Sequence, residues 1–211
     1  MTEIARAEQP ETAGQPAAVG QPPAGESKPA RVVPGQPDMW VLVLFEALAF
    51  TAYLGVYLYH RAADNASFLQ SQAQLSPWLG TIDTLLLLTS SLFMLRCVQA
   101  SRAGQVRAAM VNVVVTGLLG VAFLGCKVTE WVRLARAGHG FTSNEFFTYY
   151  FFLTGIHFLH LLIGFVTIGV LVYQLRRRER RSQEIVETCA VYWHTVDLLW
   201  VLIFSLLYVV R

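Results

Sequence analysis

The hydrophobic residues of this chain gather into five long runs that short polar segments separate. The runs cover residues 39–59, 78–98, 108–134, 145–173 and 188–210. A helix rises 1.5 Å per residue, so about 20 apolar residues cross about 30 Å of hydrocarbon, and each run is near that length. None of the runs alternates apolar and polar residues as a barrel strand does. The pattern therefore predicts an all-α integral membrane protein with five transmembrane helices.

Residues 1–37 differ in composition from the rest of the chain. They contain seven of the eight prolines and no apolar run. Such a segment cannot bury enough surface to offset the entropy lost on folding. It also lacks the basic stretch and apolar core of a signal peptide. We predict a disordered tail over residues 1–37 and a transmembrane domain over residues 38–211.

The basic residues are distributed unevenly between the two sides of the predicted membrane domain. Eleven lysines and arginines lie in the tail, after the second run and after the fourth run, against five on the other side. Cytoplasmic loops carry such an excess, so we predict a cytoplasmic N-terminus and an external C-terminus in a bacterial inner membrane. The RRRERR segment at 176–181 is interpreted as this topological signal with lipid headgroup contact rather than as a nucleic-acid patch. A net charge of +2 gives no further support for nucleic-acid binding.

Three ionisable residues lie inside apolar runs near the predicted cytoplasmic side. Glu46 is about 10 Å into the first run, while His194 and Asp197 are about 9 to 14 Å into the fifth. Such side chains are costly in hydrocarbon, so each requires a partner or a function. We predict that the three share one level, where His194 and Asp197, three residues apart, form a proton relay or a static hydrogen bond. Glu46 is the hardest to explain as a packing residue.

A second polar group is predicted near the external side. Asp83 lies early in the second run, and Lys127 and Glu130 lie late in the third. At that level a lysine can extend to the interface and a carboxylate can reach water, which is the interpretation we favour. An ion pair between Lys127 and Asp83 is a hypothesis.

Two histidines, His157 and His160, lie near the middle of the fourth run. Two imidazoles on facing helices can bind a haem iron axially. These two share one helix, and His194 differs from His160 by about 10 Å in depth, so haem ligation is disfavoured. The cysteines, at positions 97, 126 and 189, lack the CxxC spacing of a zinc site or a disulfide framework. The residues predict no catalytic group and no metal site.

Aromatic residues and glycines complete the pattern of the membrane runs. The stretch FFTYYFF at 146–152 is predicted to form an interfacial belt and a lipid-facing surface, with a quinone slot as the alternative. Glycines allow helices to approach closely, and five of them are candidates for such contacts. They are Gly117, Gly120, Gly125, Gly155 and Gly164.

Four motifs, in order along the chain, resemble the subunit III family of haem-copper respiratory oxidases. LVLFEALAF at 42–50 is similar to the family's buried carboxylate followed by aromatics, and KVTEW at 127–131 to its QxxEY segment. YYFFLTGIHFLHLLIG at 149–164 is similar to TGxHxxHxxxG preceded by aromatics. VYWHTVDLLWVLIFSLLYVV at 191–210 is similar to WHxxDxxWxxxFxxxY. Five helices resemble the short bacterial form, and the local residue choice resembles the NorE-like branch associated with nitric oxide reductases.

The resemblance implies a non-catalytic subunit with no cofactor of its own. Its partner would be the haem- and copper-bearing subunit I, or the large subunit of a nitric oxide reductase, together with bound phospholipid. It would stabilise that partner and support proton uptake. Glu46 matches the family's carbodiimide-reactive carboxylate, and the other recurring polar positions are matched by Glu130, His157, His160, His194 and Asp197.

The chain departs from the family pattern at three positions. Phe158 stands where the family commonly has glycine, Lys127 where it has an amide, and Phe45 where a serine often precedes the buried carboxylate. Helix packing and the hydrogen bonds near the external side are therefore expected to differ from those of the family.

Two other functions compete with an oxidase subunit. One is a free-standing b-type cytochrome or quinone oxidoreductase that uses His157, His160 and His194. The other is a small proton-coupled transporter built around Glu46 and Asp197, although the chain shows no inverted repeat.

Overall fold

The computed structural model describes residues 35–177 and 182–210. Their helices are α1 (Pro37–Ala63), α2 (Asn65–Gln72), α3 (Pro77–Arg102), α4 (Val106–Arg136), α5 (Glu145–Arg176) and α6 (Gln183–Phe204), and α6 continues into a π-helical turn (Ser205–Val209). Within these residues no strand occurs. The predicted disordered tail lies outside the described residues except at its last positions, as does most of the RRRERR segment.

Five of these helices are long and apolar enough to cross a membrane: α1, α3, α4, α5 and α6 with its π-helical turn. The prediction of an all-α, five-helix membrane protein is therefore confirmed. Helix α6, the last of the five spanning helices, begins at Gln183 rather than at the predicted residue 188. The Ser182 side chain accepts a hydrogen bond from the Ile185 amide and so caps the start of this helix. Pro37 and Pro77 occupy the first turn of α1 and α3, where a missing amide proton costs nothing.

The short helix α2 was not predicted, because five of its eight residues are polar and no long apolar run marks it. It lies against the end of α6. The Gln72 amide donates to the carbonyls of Leu207 and Val210 at 3.1 and 2.9 Å, which satisfies acceptors that the helix end leaves unpaired. The hydroxyl of Ser71 in α2 accepts a hydrogen bond of 2.7 Å from Asn144, the residue that caps α5.

Helices α3, α4, α5 and α6 form the packed core, and α1 lies against α5 and α6. Trp193 of α6 is fully buried within this core. Its indole nitrogen donates to Ser90 of α3 at 2.8 Å, and its ring passes close to Gly120 of α4 and Gly164 of α5. A β-carbon on either glycine would lie about 3 Å from that ring.

The predicted close helix contacts therefore occur at Gly120 and Gly164. The prediction was wrong for Gly117, Gly125 and Gly155, where an added β-carbon would meet no atom within 4 Å. Glycine composition does not reveal which face of a helix is turned inward, and open space lies beside these three.

Helix α1 buries a single stripe, formed by Phe50, Leu54, Tyr57 and Arg61. Most of its other apolar side chains are exposed, among them Leu44 and Leu48, each about 70% exposed. In a membrane such a surface contacts lipid tails or another membrane protein. The polar contacts of α1 are therefore important for its position on the bundle.

The predicted orientation can be tested with two cysteines at opposite ends of the bundle. Thr142→Cys lies in the connection before α5, and Gln105→Cys lies between α3 and α4; both positions are exposed. With an external C-terminus, a membrane-impermeant maleimide labels Thr142→Cys on sealed right-side-out vesicles and labels Gln105→Cys only after detergent opens them. The unmodified chain gives the background, because Cys97 and Cys189 are buried but Cys126 is partly exposed. The reverse labelling pattern contradicts the orientation.

Candidate functional site

Lys127 is the centre of a buried charged cluster between α3 and α4. Its Nζ lies 2.7 Å from Glu130 Oε2 and 3.0 Å from Asp83 Oδ2. The three side chains are 0 to 1% exposed. Nζ also lies 4.4 Å from the ring centre of Trp200, at cation–π distance. The structure thus brings together Asp83, Lys127 and Glu130, the group predicted near the external side.

The expectation that these side chains reach the membrane interface was wrong. Lys127 is surrounded by the aromatic residues Phe123, Trp200 and Tyr208 and does not extend to the surface. Counting residues from the end of an apolar run shows how deep a residue lies in the membrane but not which way its side chain faces. On α4, the side chain of Lys127 faces α3 and α6. A buried charge of this kind requires partners, because losing solvation costs several kcal/mol per ion.

Two tyrosines that stand in the quoted motifs, but that the sequence did not place with these charges, complete the cluster. The hydroxyls of Tyr150 in α5 and Tyr208 in the π-helical turn donate to Glu130 Oε2 at 2.9 and 2.8 Å. The Tyr208 hydroxyl also accepts a hydrogen bond of 3.2 Å from Lys127. Side chains from α3, α4, α5 and the end of α6 therefore meet at one point.

The aromatic run at 146–152 is only partly the lipid-facing belt that was predicted. Phe146, Phe147 and Tyr150 are at most 1% exposed and pack inside the bundle. The spacing of residues in this helix could have predicted its buried face. Tyr150, His157 and Gly164 recur every seven residues and so share one face of α5.

Glu46 pairs with His160, across the contact between α1 and α5. The Glu46 Oε2–His160 Nε2 distance is 3.1 Å, and both side chains are about one-fifth exposed. His160 Nδ1 lies 2.8 Å from the carbonyl oxygen of Ile156, which can only accept a hydrogen bond. Nδ1 therefore carries a proton, and the contact between Nε2 and Glu46 needs one more proton, on the imidazole or on the carboxyl group.

The predicted grouping of Glu46 with His194 and Asp197 was wrong. Glu46 is paired with α5, whereas His194 Nδ1 is 2.6 Å from the Ser91 hydroxyl of α3. Helices tilt and are staggered, so equal distances from their ends do not place residues side by side. Among the described residues, neither oxygen of the buried Asp197 has a hydrogen-bond partner, so the pair with His194 is not formed.

His157 and His160 are neighbours on α5 but have different surroundings. His157 is 1% exposed and packs against Phe123 and Trp200, with ring centres 5.7 and 5.3 Å away. Neither of its ring nitrogens has a hydrogen-bond partner within the described ranges. The same residues contain no group of three or more His, Cys, Asp or Glu side chains placed to hold a metal ion.

All of the polar residues described above lie within the stretch of the sequence that one family model matches. A family model described as cytochrome c oxidase subunit III matches residues 39–210. The chain belongs to this family. Cytochrome c oxidase subunit 3 of Thermostichus vulcanus is 29% identical to this family member over 172 residues, which are 80% of this chain and 84% of the relative.

Two further relatives widen the comparison. Quinol oxidase subunit 3 of Bacillus subtilis (strain 168) is 32% identical over 129 residues, which are 60% of this chain and 63% of the relative. Heme-copper oxidase subunit I+III of Aeropyrum pernix is 29% identical over 187 residues, which are 82% of this chain and 22% of the relative. Subunit III membership implies association with other oxidase subunits, such as subunit I.

The three departures from the family pattern occupy different environments in this subunit III family member. Lys127 lies in the buried cluster, in place of an amide. Phe158, where the family commonly has glycine, packs on Trp131, with ring centres 5.3 Å apart. Phe45 precedes Glu46 and is 65% exposed on α1.

The cluster can be tested by removing its cation. Lys127→Met leaves both carboxylates buried without a positive charge, and we expect a loss of about 3 to 5 kcal/mol in the free energy of unfolding. Arg133→Met, at an exposed position of the same helix, is the control and should change stability by less than about 0.5 kcal/mol. Thermal unfolding in detergent can be followed with a thiol-reactive dye, which reaches the buried Cys97 and Cys189 when the helices separate. Equal midpoints for the two variants would contradict the proposed role of the lysine.

Proposed function

We propose that this chain is the non-catalytic subunit III of a haem-copper terminal oxidase in a bacterial inner membrane. The family match over residues 39–210 is the observation that carries the proposal. The haem and copper centres belong to its partner, and this chain supplies packing, lipid contact and a supporting role in proton uptake. The electron donor is cytochrome c or quinol, since relatives bear both names.

Subunit I is the proposed direct partner. In the relative from Aeropyrum pernix, the printed name joins subunits I and III, and this chain matches 22% of that protein's length. The exposed apolar face of α1 is suitable for contact with another membrane protein or with bound phospholipid. Contact of this face with subunit I would stabilise that subunit, which is the role we propose.

The Glu46–His160 pair supports a role close to proton uptake. It needs one proton between two titratable groups, and both side chains keep partial exposure at the contact between α1 and α5. A pair of this type can hold a proton and release it at a surface. Lipid headgroups or the partner subunit would lie against the same exposed edge.

An oxidase partner is preferred to a nitric oxide reductase. The relatives described above are all named as oxidase subunits. The similarity to the NorE-like branch stays a prediction from local residue choice. A free-standing cytochrome and a transporter have no specific observation in their favour.

The proposed function can be tested by purification in mild detergent from cells that express the candidate subunit I. We expect this chain to co-purify with a haem protein in a fixed ratio, because the family assembles with other oxidase subunits. A matched strain without this chain controls for the stability of subunit I. Recovery of the chain alone, from cells in which subunit I is intact, contradicts the proposal. A haem absorption band that belongs to this chain alone and disappears in His194→Ala would favour the cytochrome.

Glu46→Gln tests the role of the paired carboxyl group. The amide keeps the shape of the side chain but cannot release a proton, so we expect normal assembly and a shorter active lifetime of the complex during sustained turnover. Asp38→Asn, at an exposed position of the same helix, is the matched control and should leave the lifetime unchanged. Oxygen consumption followed to inactivation measures the effect. The same lifetime in the wild type and in Glu46→Gln would contradict this role.

A further inference from the structure

The two carboxylates of the Lys127 cluster have unequal surroundings. Glu130 Oε2 accepts from three donors: Lys127 at 2.7 Å, Tyr150 at 2.9 Å and Tyr208 at 2.8 Å. Hydrogen bonds to an ionised acceptor are about twice as strong as neutral ones, so this arrangement fits a negatively charged Glu130. Asp83 has no comparable set of donors.

Asp83 is fully buried, and neither of its oxygens has a hydrogen-bond partner within the described residues. Its close polar neighbours are Lys127 Nζ, 3.0 Å from Oδ2 but without hydrogen-bond geometry, and the thiol of Cys126. Buried polar atoms in proteins are nearly always paired, so these two oxygens require a specific explanation.

The charges of the cluster do not balance when every group is ionised. One lysine faces two carboxylates, which leaves a net charge of −1 in an interior where all three side chains are at most 1% exposed. An uncompensated charge at such a site costs several kcal/mol. The cluster therefore needs one additional positive charge.

None of the neighbouring groups supplies that charge. Tyr150 and Tyr208 contribute neutral hydroxyls, and the Cys126 thiol beside Asp83 is also neutral. His157 is near Lys127, but neither of its nitrogens has an acceptor to stabilise an imidazolium ion. Within the described part of the chain, Lys127 is the one cation paired with these carboxylates.

We propose that Asp83 is a buried proton-binding site, with the proton held on its carboxyl group beside an ionised Lys127–Glu130 pair. The cluster is then electrically neutral. The proton is a structural ligand, because its loss would leave a net negative charge where α3 and α4 meet. This site goes beyond the proposed oxidase function and does not depend on it.

A bound sodium or potassium ion is the competing occupant. Such cations require several oxygen ligands. The free oxygens here are the two of Asp83 and Oε1 of Glu130. The Lys127 ammonium, 3.0 Å from Asp83, would also repel a second cation. A proton needs one oxygen and no coordination shell, so it is the occupant that this geometry favours.

Infrared difference spectroscopy of the purified full-length chain tests the site directly. A protonated carboxyl group gives a C=O stretching band that shifts in D₂O, and we expect Asp83→Asn to remove one such band. Glu130→Gln is expected to retain it if that variant folds. Asp38→Asn, an exposed carboxylate changed in the same way, is expected to leave the band in place. A spectrum of Asp83→Asn without any lost carboxyl band overturns the proposal.

Stability provides an independent measurement. The asparagine in Asp83→Asn is neutral and similar in shape to a protonated aspartate, so its unfolding midpoint should stay within a few degrees of the wild type. Glu130→Gln removes an ionised group with three donors and should lower the midpoint by about 10 °C or prevent folding. A loss for Asp83→Asn as large as that for Glu130→Gln, including failure to fold, overturns the proposal. So does a wild-type midpoint that rises with sodium or potassium but not with choline, which would identify a bound cation instead.

Discussion

The buried ammonium group of Lys127 is the interaction on which the arrangement of four helices depends. Its partners come from α3 and α4, and tyrosines from α5 and the end of α6 bind the same glutamate. In hydrocarbon these groups have no water to replace a lost partner. Movement of any one helix would therefore leave a buried charge or hydroxyl group unpaired. The cluster therefore helps to fix the register of these four helices.

Helix α1 is attached in a different way. It buries one stripe of side chains and makes two polar contacts with α5, Glu46 with His160 and His60 with Glu145. All four of these polar side chains keep some exposure. A helix held by partly exposed pairs can be displaced at a lower cost than one held by a buried ion pair. The molecule thus combines a four-helix core that contains a buried charged cluster with a first helix whose ion pairs to α5 are partly exposed and whose outer face is apolar and exposed.

Hydropathy was sufficient to predict the five spanning helices, because few other structures satisfy the backbone in a membrane. Charged residues inside apolar runs also marked Lys127, Asp83 and Glu130. The partner of Glu46 could not be predicted, since depth along a helix does not specify its facing direction or its tilt. Tyr150 and Tyr208 stand in the quoted motifs, but their place in the cluster was not predicted, because tyrosines are common in membrane helices near the interface and give no charge signal. Trp193 illustrates the same limit, since only the fold shows that its ring lies between Gly120 and Gly164.

Lys127 is also a departure from the family pattern, and its surroundings explain how the chain tolerates it. A lysine in place of an amide adds one positive charge to a buried site, and the ionised Glu130 balances it within the same helix. If Asp83 were also ionised, the cluster would carry one more negative charge than the lysine can neutralise. A neutral Asp83 removes the excess negative charge while keeping an oxygen 3.0 Å from the ammonium group. Charge neutrality of the whole cluster, rather than the strength of any single ion pair, is therefore what makes this substitution compatible with a membrane interior.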